Sequence, residues 1–181
     1  MKPLSLFLFL IPVLPTALSG QSNTGLTNPW DFKKTIENLT LYSGKLTPIL
    51  DGVRPDEWRG APAGYAAQQT MVKTQLSSIT ILLQGLAKDP ERLPAVLDLF
   101  FRYENFDITL ASLIEGVRRY QNPAVADLIT GMRNENSPAR QGLKDYMVEL
   151  ATTKDQELRI VDQEAQRCRG QLLRQPTPRR N

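Results

Sequence analysis

Histidine is absent from this chain, and cysteine occurs once, as Cys168. Without imidazole there is no histidine general base, no His-ligated zinc or haem and no Glu-x-x-His di-iron site. A serine or cysteine nucleophile therefore lacks its usual base, and no Ser-x-x-Lys stands in for one. A single cysteine permits no intramolecular disulfide, so stability must come from packing. Gly-x-Gly-x-x-Gly, Walker and Cys-x-x-Cys-His motifs are all missing, and no cofactor is expected. No segment alternates as a strand would, and no internal repeat is visible.

The positive charge is also thinner than it looks. The net charge is +3, from 22 basic and 19 acidic residues. Lys2, Arg174, Arg179 and Arg180 lie at the two ends, and without them the body is slightly acidic. Nucleic-acid binding would need basic residues gathered on the fold itself, and none is expected.

What is present begins with an apolar N-terminus. Residues 1–20 read as a cleavable signal peptide: Lys2, an apolar run from Leu6 to Leu14, then Pro15 and small residues around Ala17 and Ser19. A spanning helix needs about 20 apolar residues, and Pro12 with Pro15 fits that poorly. The expectation is an extracytoplasmic protein, periplasmic or secreted, with no stable membrane insertion after signal removal. Residues 21–28 are expected to be a flexible lead-in, and 174–181 a disordered basic tail.

The body, 29–173, reads as one all-α domain. Asn28-Pro29 is a helix start, and Phe32, Ile36, Leu39, Tyr42, Leu46 and Leu50 share one face of a first helix over 29–52. Pro48 predicts a kink or an early end there. A loop rich in Gly and Pro follows. The second helix, 63–87, carries Val72, Leu76, Ile79 and Leu83 on its core stripe. The third and most apolar spans 90–120, with Asp89 as cap and Pro90 in the first turn. Asn122-Pro123 starts the last, 123–173, expected to be bent at 134–138 but continuous. Its Leu143, Met147, Leu150, Leu158, Val161, Ala165, Cys168 and Leu172 recur at threes and fours, as in a bundle or coiled-coil seam, with Lys154 the misfit. The predicted architecture is an antiparallel four-helix bundle, or five helices if 134–138 is a true break, with a long C-terminal helix. That helix outruns the others, so it either breaks or projects, and a projecting seam favours self-association.

Few residues suggest chemistry. Asp107 points into the apolar stripe of the third helix, with Glu104 one turn away. A buried carboxylate needs a partner, and Arg54 or Arg59 is expected to supply it. The alternative is a small-ligand or metal site built on these carboxylates. Cys168 is expected to be a small core residue on the seam. Trp58 either plugs the end of the bundle or, with Arg59, anchors a partner. On the second helix Thr70, Thr74 and Ser77 belong to a side with almost no charge. Either another element of the chain covers it, or it faces a protein partner. The leading expectation is a non-enzymatic interaction or structural protein of the cell envelope or exterior.

Overall fold

The periodicity of apolar residues resolves into five α-helices in the computed structural model, which describes residues 29–174. They are α1 (Pro29–Asp51), α2 (Gly64–Leu86), α3 (Leu93–Tyr120), α4 (Pro123–Glu135) and α5 (Ser137–Arg174), with one 3-10 turn at Pro55–Glu57. The expected signal peptide, the lead-in with its Asn28 cap and the tail beyond Arg174 lie outside the described residues. Among the described residues there is no strand, and no helix is long and apolar enough to cross a membrane.

α1, α2, α3 and α5 pack against one another, and α4 lies along α3. Leu39, Leu46 and Leu50 of α1, Ile79 and Leu83 of α2, Leu99, Phe106 and Leu110 of α3, Ile129 of α4 and Leu143 of α5 are fully buried. Each such side chain contributes roughly 1.5–3 kcal/mol by leaving water. Phe101 and Ile108, counted in the apolar third helix, face outward.

The start of α3 and the α4–α5 junction differ from the sequence reading by more than one residue, and Pro48 does not end α1 early. α1 runs through Pro48 and stops at Asp51, where the Gly52 amide bonds the carbonyls of Pro48 and Ile49. Two carbonyls at this end, those of Leu50 and Val53, accept from Gln69 Nε2 at 2.8 and 2.6 Å, so α2 caps α1. α3 does not start at Pro90. A helix from there would need Pro94 to donate to the Pro90 carbonyl, and proline has no N–H. The helix begins at Leu93 instead, with the amides of Ala95 and Val96 bonded to the Arg92 carbonyl.

The last helix is broken rather than continuous. α4 ends at Glu135 and α5 starts at Ser137, with only Asn136 between them. Asn136 keeps a near-helical backbone (φ −84°, ψ −7°), so the junction is tight. Pro138 contributes, because its missing N–H denies the Asn134 carbonyl its helical donor. The Asn136 side chain turns inward, is buried, and donates to the Tyr103 hydroxyl of α3.

Candidate functional site

Asp107 sits at the meeting point of α3, α4 and α5. The aspartate is buried, as its helical position implied. Its partners are not Arg54 or Arg59, which lie exposed in the loop after α1. They are Arg133 and Arg140. Arg133 grips both carboxylate oxygens, Nε to Oδ1 and Nη2 to Oδ2, each at 2.6 Å. Arg140 donates from Nη1 to Oδ2 at 2.8 Å and from Nε to Glu104 Oε1 at 2.9 Å. Glu104 and Asp107 are thus joined by one guanidinium. Arg133 and Arg140 flank the α4–α5 junction and are seven residues apart, two helical turns, which puts them on the same side facing α3. That spacing was the available signal for the pair.

The electrostatics follow from this geometry. Burial alone would push the Asp107 carboxyl up, but the hydrogen bonds and charge of Arg133, then those of Arg140, outweigh it and hold the group below the usual carboxylate range. Burial pushes the Tyr42 and Tyr103 hydroxyls well above the ordinary phenol value, and the Asp107 charge adds to this. Both stay protonated. An ionised carboxylate clasped by two arginines is a poor proton acceptor. Among the described residues, no three His, Cys, Asp or Glu side chains converge as a metal site would require. The arrangement is an ionic clasp that fixes the α4–α5 corner to α3.

Trp58 is 8% exposed and lies inside the end of the bundle. Its ring packs against Tyr65 at 5.3 Å and Tyr120 at 5.9 Å between centroids. Its Nε1 donates to Gln121 Oε1 at 3.1 Å. Gln121 also accepts from the Arg54 amide and donates to the Gly52 carbonyl, so one amide side chain stitches the loop to the end of α3. Gly116 makes room for this cluster: a Cβ there would stand 2.5 Å from the Tyr65 ring. Arg59 is exposed beside it.

On α2, Thr70, Thr74 and Ser77 are exposed, and nothing among the described residues covers them. Thr70 and Thr74 turn their hydroxyls back to the carbonyls of Ala66 and Thr70. Lys73 pairs with Asp51 across to α1.

The most exposed apolar surface lies on α5. The stripe buried at Leu143 and Leu150 continues past Lys154 into water. Leu158, Val161 and Leu172 are 69%, 62% and 68% exposed. Cys168, expected to be a small core residue, is exposed as well. Over residues 155–173 only Ala165 and Gly170 are even partly covered. At 1.5 Å per residue this is a projection of about 28 Å. The bundle holds α5 at its base: Phe32 stacks on Tyr146 at 3.5 Å, and the Tyr146 hydroxyl donates to the Pro90 carbonyl at 3.1 Å.

Comparison with protein-family models, curated proteins and solved structures returned no match.

Proposed function

We propose that this chain is an exported, non-enzymatic interaction or structural protein of the cell envelope or exterior, an antiparallel helical bundle that holds out one helix for a protein partner. The observation that carries the reading is the exposed heptad seam of α5, with Leu158, Val161 and Leu172 in water beyond the end of the bundle. A single helix with an apolar stripe and no covering neighbour is stabilised by pairing with another chain. The antiparallel arrangement is supported by paired positions. Phe32 meets Tyr146 near the start of α1, whereas Tyr42, further along, lines the same groove as Pro138. Gln68 of α2 reaches Thr109, and Tyr65 lies against Gly116.

The non-enzymatic part of the reading rests on the residues that could have done chemistry. Asp107 and Glu104 are both engaged by arginines, which also weighs against a ligand or metal site built on them. Export rests on the character of residues 1–20.

The test is chemical cross-linking in the native envelope, comparing the wild-type chain with a Leu158→Glu, Val161→Glu variant. The wild type is expected to give a cross-linked species that the variant loses while melting at the same temperature. An identical cross-link pattern would remove the stalk as the docking element. Recovery of the uncleaved chain in the cytoplasm would remove the exported part.

A further inference from the structure

The projecting part of α5 also carries charges at positions that select one kind of partner. Leu158, Val161, Ala165, Cys168 and Leu172 follow one another by three, four, three and four residues, a heptad seam. Asp155, Asp162 and Arg169 flank that seam on one side at seven-residue spacing, and Glu157 and Glu164 flank it on the other. Asp155 is taken up by Arg159 of its own helix at 2.9 Å. Glu157 is taken up by Lys154 of its own helix at 3.0 Å. Among the described residues, Asp162 and Arg169 have no ion-pair partner.

We infer that the occupant of this seam is the same segment of a second copy, running antiparallel in the register that sets Asp162 of each copy beside Arg169 of the other. The inference rests on the reading of α5 as a docking helix and names its partner. In this register Val161 faces Leu172 and Ala165 faces Cys168, each twice by symmetry. The two Asp162–Arg169 pairs flank these four layers, and Glu164 falls beside Gln171 on the other side. No like charges meet.

The competing arrangements fare worse on the same residues. A parallel, in-register pair joins Glu164 to Arg169 but sets Glu157 against Asp162, so attraction and repulsion balance. Sliding the antiparallel pair by one heptad one way places Asp162 against Asp162 and Glu164 against Glu164, and these two repulsions offset the two Asp155–Arg169 pairs that the same slide forms. Sliding it the other way places Arg169 against Arg169. Like charges facing each other across a helix pair are the usual device for excluding a register. The stalk length agrees as well. In the chosen register the last described residue of α5, Arg174, lies opposite Arg159 of the other copy, short of Lys154 where the bundle ends. The two bundles then stand at opposite ends of the joined stalks.

Four layers with Ala165 and Cys168 at the centre make a small interface, below the roughly 1,200 Å² of stable complexes, so the dimer is weak and concentration-dependent. Sedimentation equilibrium of the purified protein under reducing conditions, over a concentration series reaching the high micromolar range, is expected to show a monomer–dimer equilibrium. Asp162→Arg should weaken it roughly tenfold, replacing two attractions by two repulsions. Arg169→Asp should weaken it similarly, and the Asp162→Arg, Arg169→Asp double variant should restore it. Tightening by Asp162→Arg would overturn the register, because that is the parallel pair's response. In a Cys168→Ser background, spin labels at Gln156→Cys should lie roughly 30 Å apart along the stalk axis. Labels at the same height would also overturn it. A strict monomer throughout overturns self-pairing. If Leu158→Glu, Val161→Glu still abolishes a cross-link in the envelope, the docking reading stands without it.

Discussion

The Tyr146 hydroxyl donates to the carbonyl of Pro90, the group that Pro94 leaves without a helical donor. Two prolines four residues apart delay the start of α3, and a tyrosine from α5 satisfies the carbonyl this frees. The same tyrosine ring stacks on Phe32 of α1. One side chain therefore joins α1, α5 and the turn before α3.

Tyr146→Phe keeps the stack and removes the hydrogen bond. The expected cost is about 1 kcal/mol, a fall in melting temperature of about 2–4 °C. Tyr146→Ala also removes the ring, and its cost should be about 3–5 kcal/mol. Thermal denaturation of the two variants separates the contributions, and an unchanged melting temperature for Tyr146→Phe would show the hydroxyl to be idle.

Asp107→Asn leaves Arg133 and Arg140 facing a neutral amide. Truncating a buried ion pair costs about 3–5 kcal/mol, and the arginines' partial access to water should reduce this to about 2–3. The acid limb of the stability profile should change too. A carboxyl held below its ordinary value stabilises the fold fully above the unfolded value of about 4, and that stabilisation is lost as pH falls through the folded-state value. Urea denaturation from pH 7 to pH 2.5 should therefore show the gap between wild type and Asp107→Asn narrowing only in acid. A constant gap would mean that Asp107 is not ionised in the fold.

Gly116→Ala should destabilise the protein even though alanine favours a helix by about 1 kcal/mol. The added methyl group meets the Tyr65 ring at 2.5 Å and Trp58 at 3.0 Å. Overpacking of this kind costs about 1–3 kcal/mol. Near-ultraviolet circular dichroism should report the displaced aromatic cluster, and Tyr65→Leu in the same chain should recover part of the loss.

Leu158→Glu with Val161→Glu should leave monomer stability unchanged within about 0.5 kcal/mol, because both side chains are already in water. The same pair of changes at Leu143 and Leu150, which are fully buried, should prevent folding. Chemical denaturation at low protein concentration checks the contrast.

Much of this was legible before folding. The core faces of α1 and α2 follow from apolar residues at threes and fours, whereas Phe101 and Ile108 of α3, Leu128 of α4 and the seam of α5 beyond Leu150 lie exposed. Asp107 stands out because a carboxylate interrupts such a face. Its arginines were harder to find, because Arg133 and Arg140 lie on later helices and only tertiary packing brings them to it. The α4–α5 break is not legible from Pro138 alone, because α1 runs unbroken through Pro48; the inward turn of Asn136 onto Tyr103 accompanies the break and depends on α3. Gln69 and Gln121 gave no signal at all. A neutral amide has no hydrophobic period, and its role as a cap depends on where another helix happens to end.

The bundle gives the far half of α5 leverage. Beyond Lys154 the helix reaches about 28 Å at 1.5 Å per residue. A tilt of about 10° at that point would swing Leu173 through roughly 5 Å. The Arg140–Asp107 pair, the Phe32–Tyr146 stack and the buried Leu150 hold the near half from its first turn to the edge of the core. The aim of the stalk is therefore set by side chains about two to ten turns from the residues it would present.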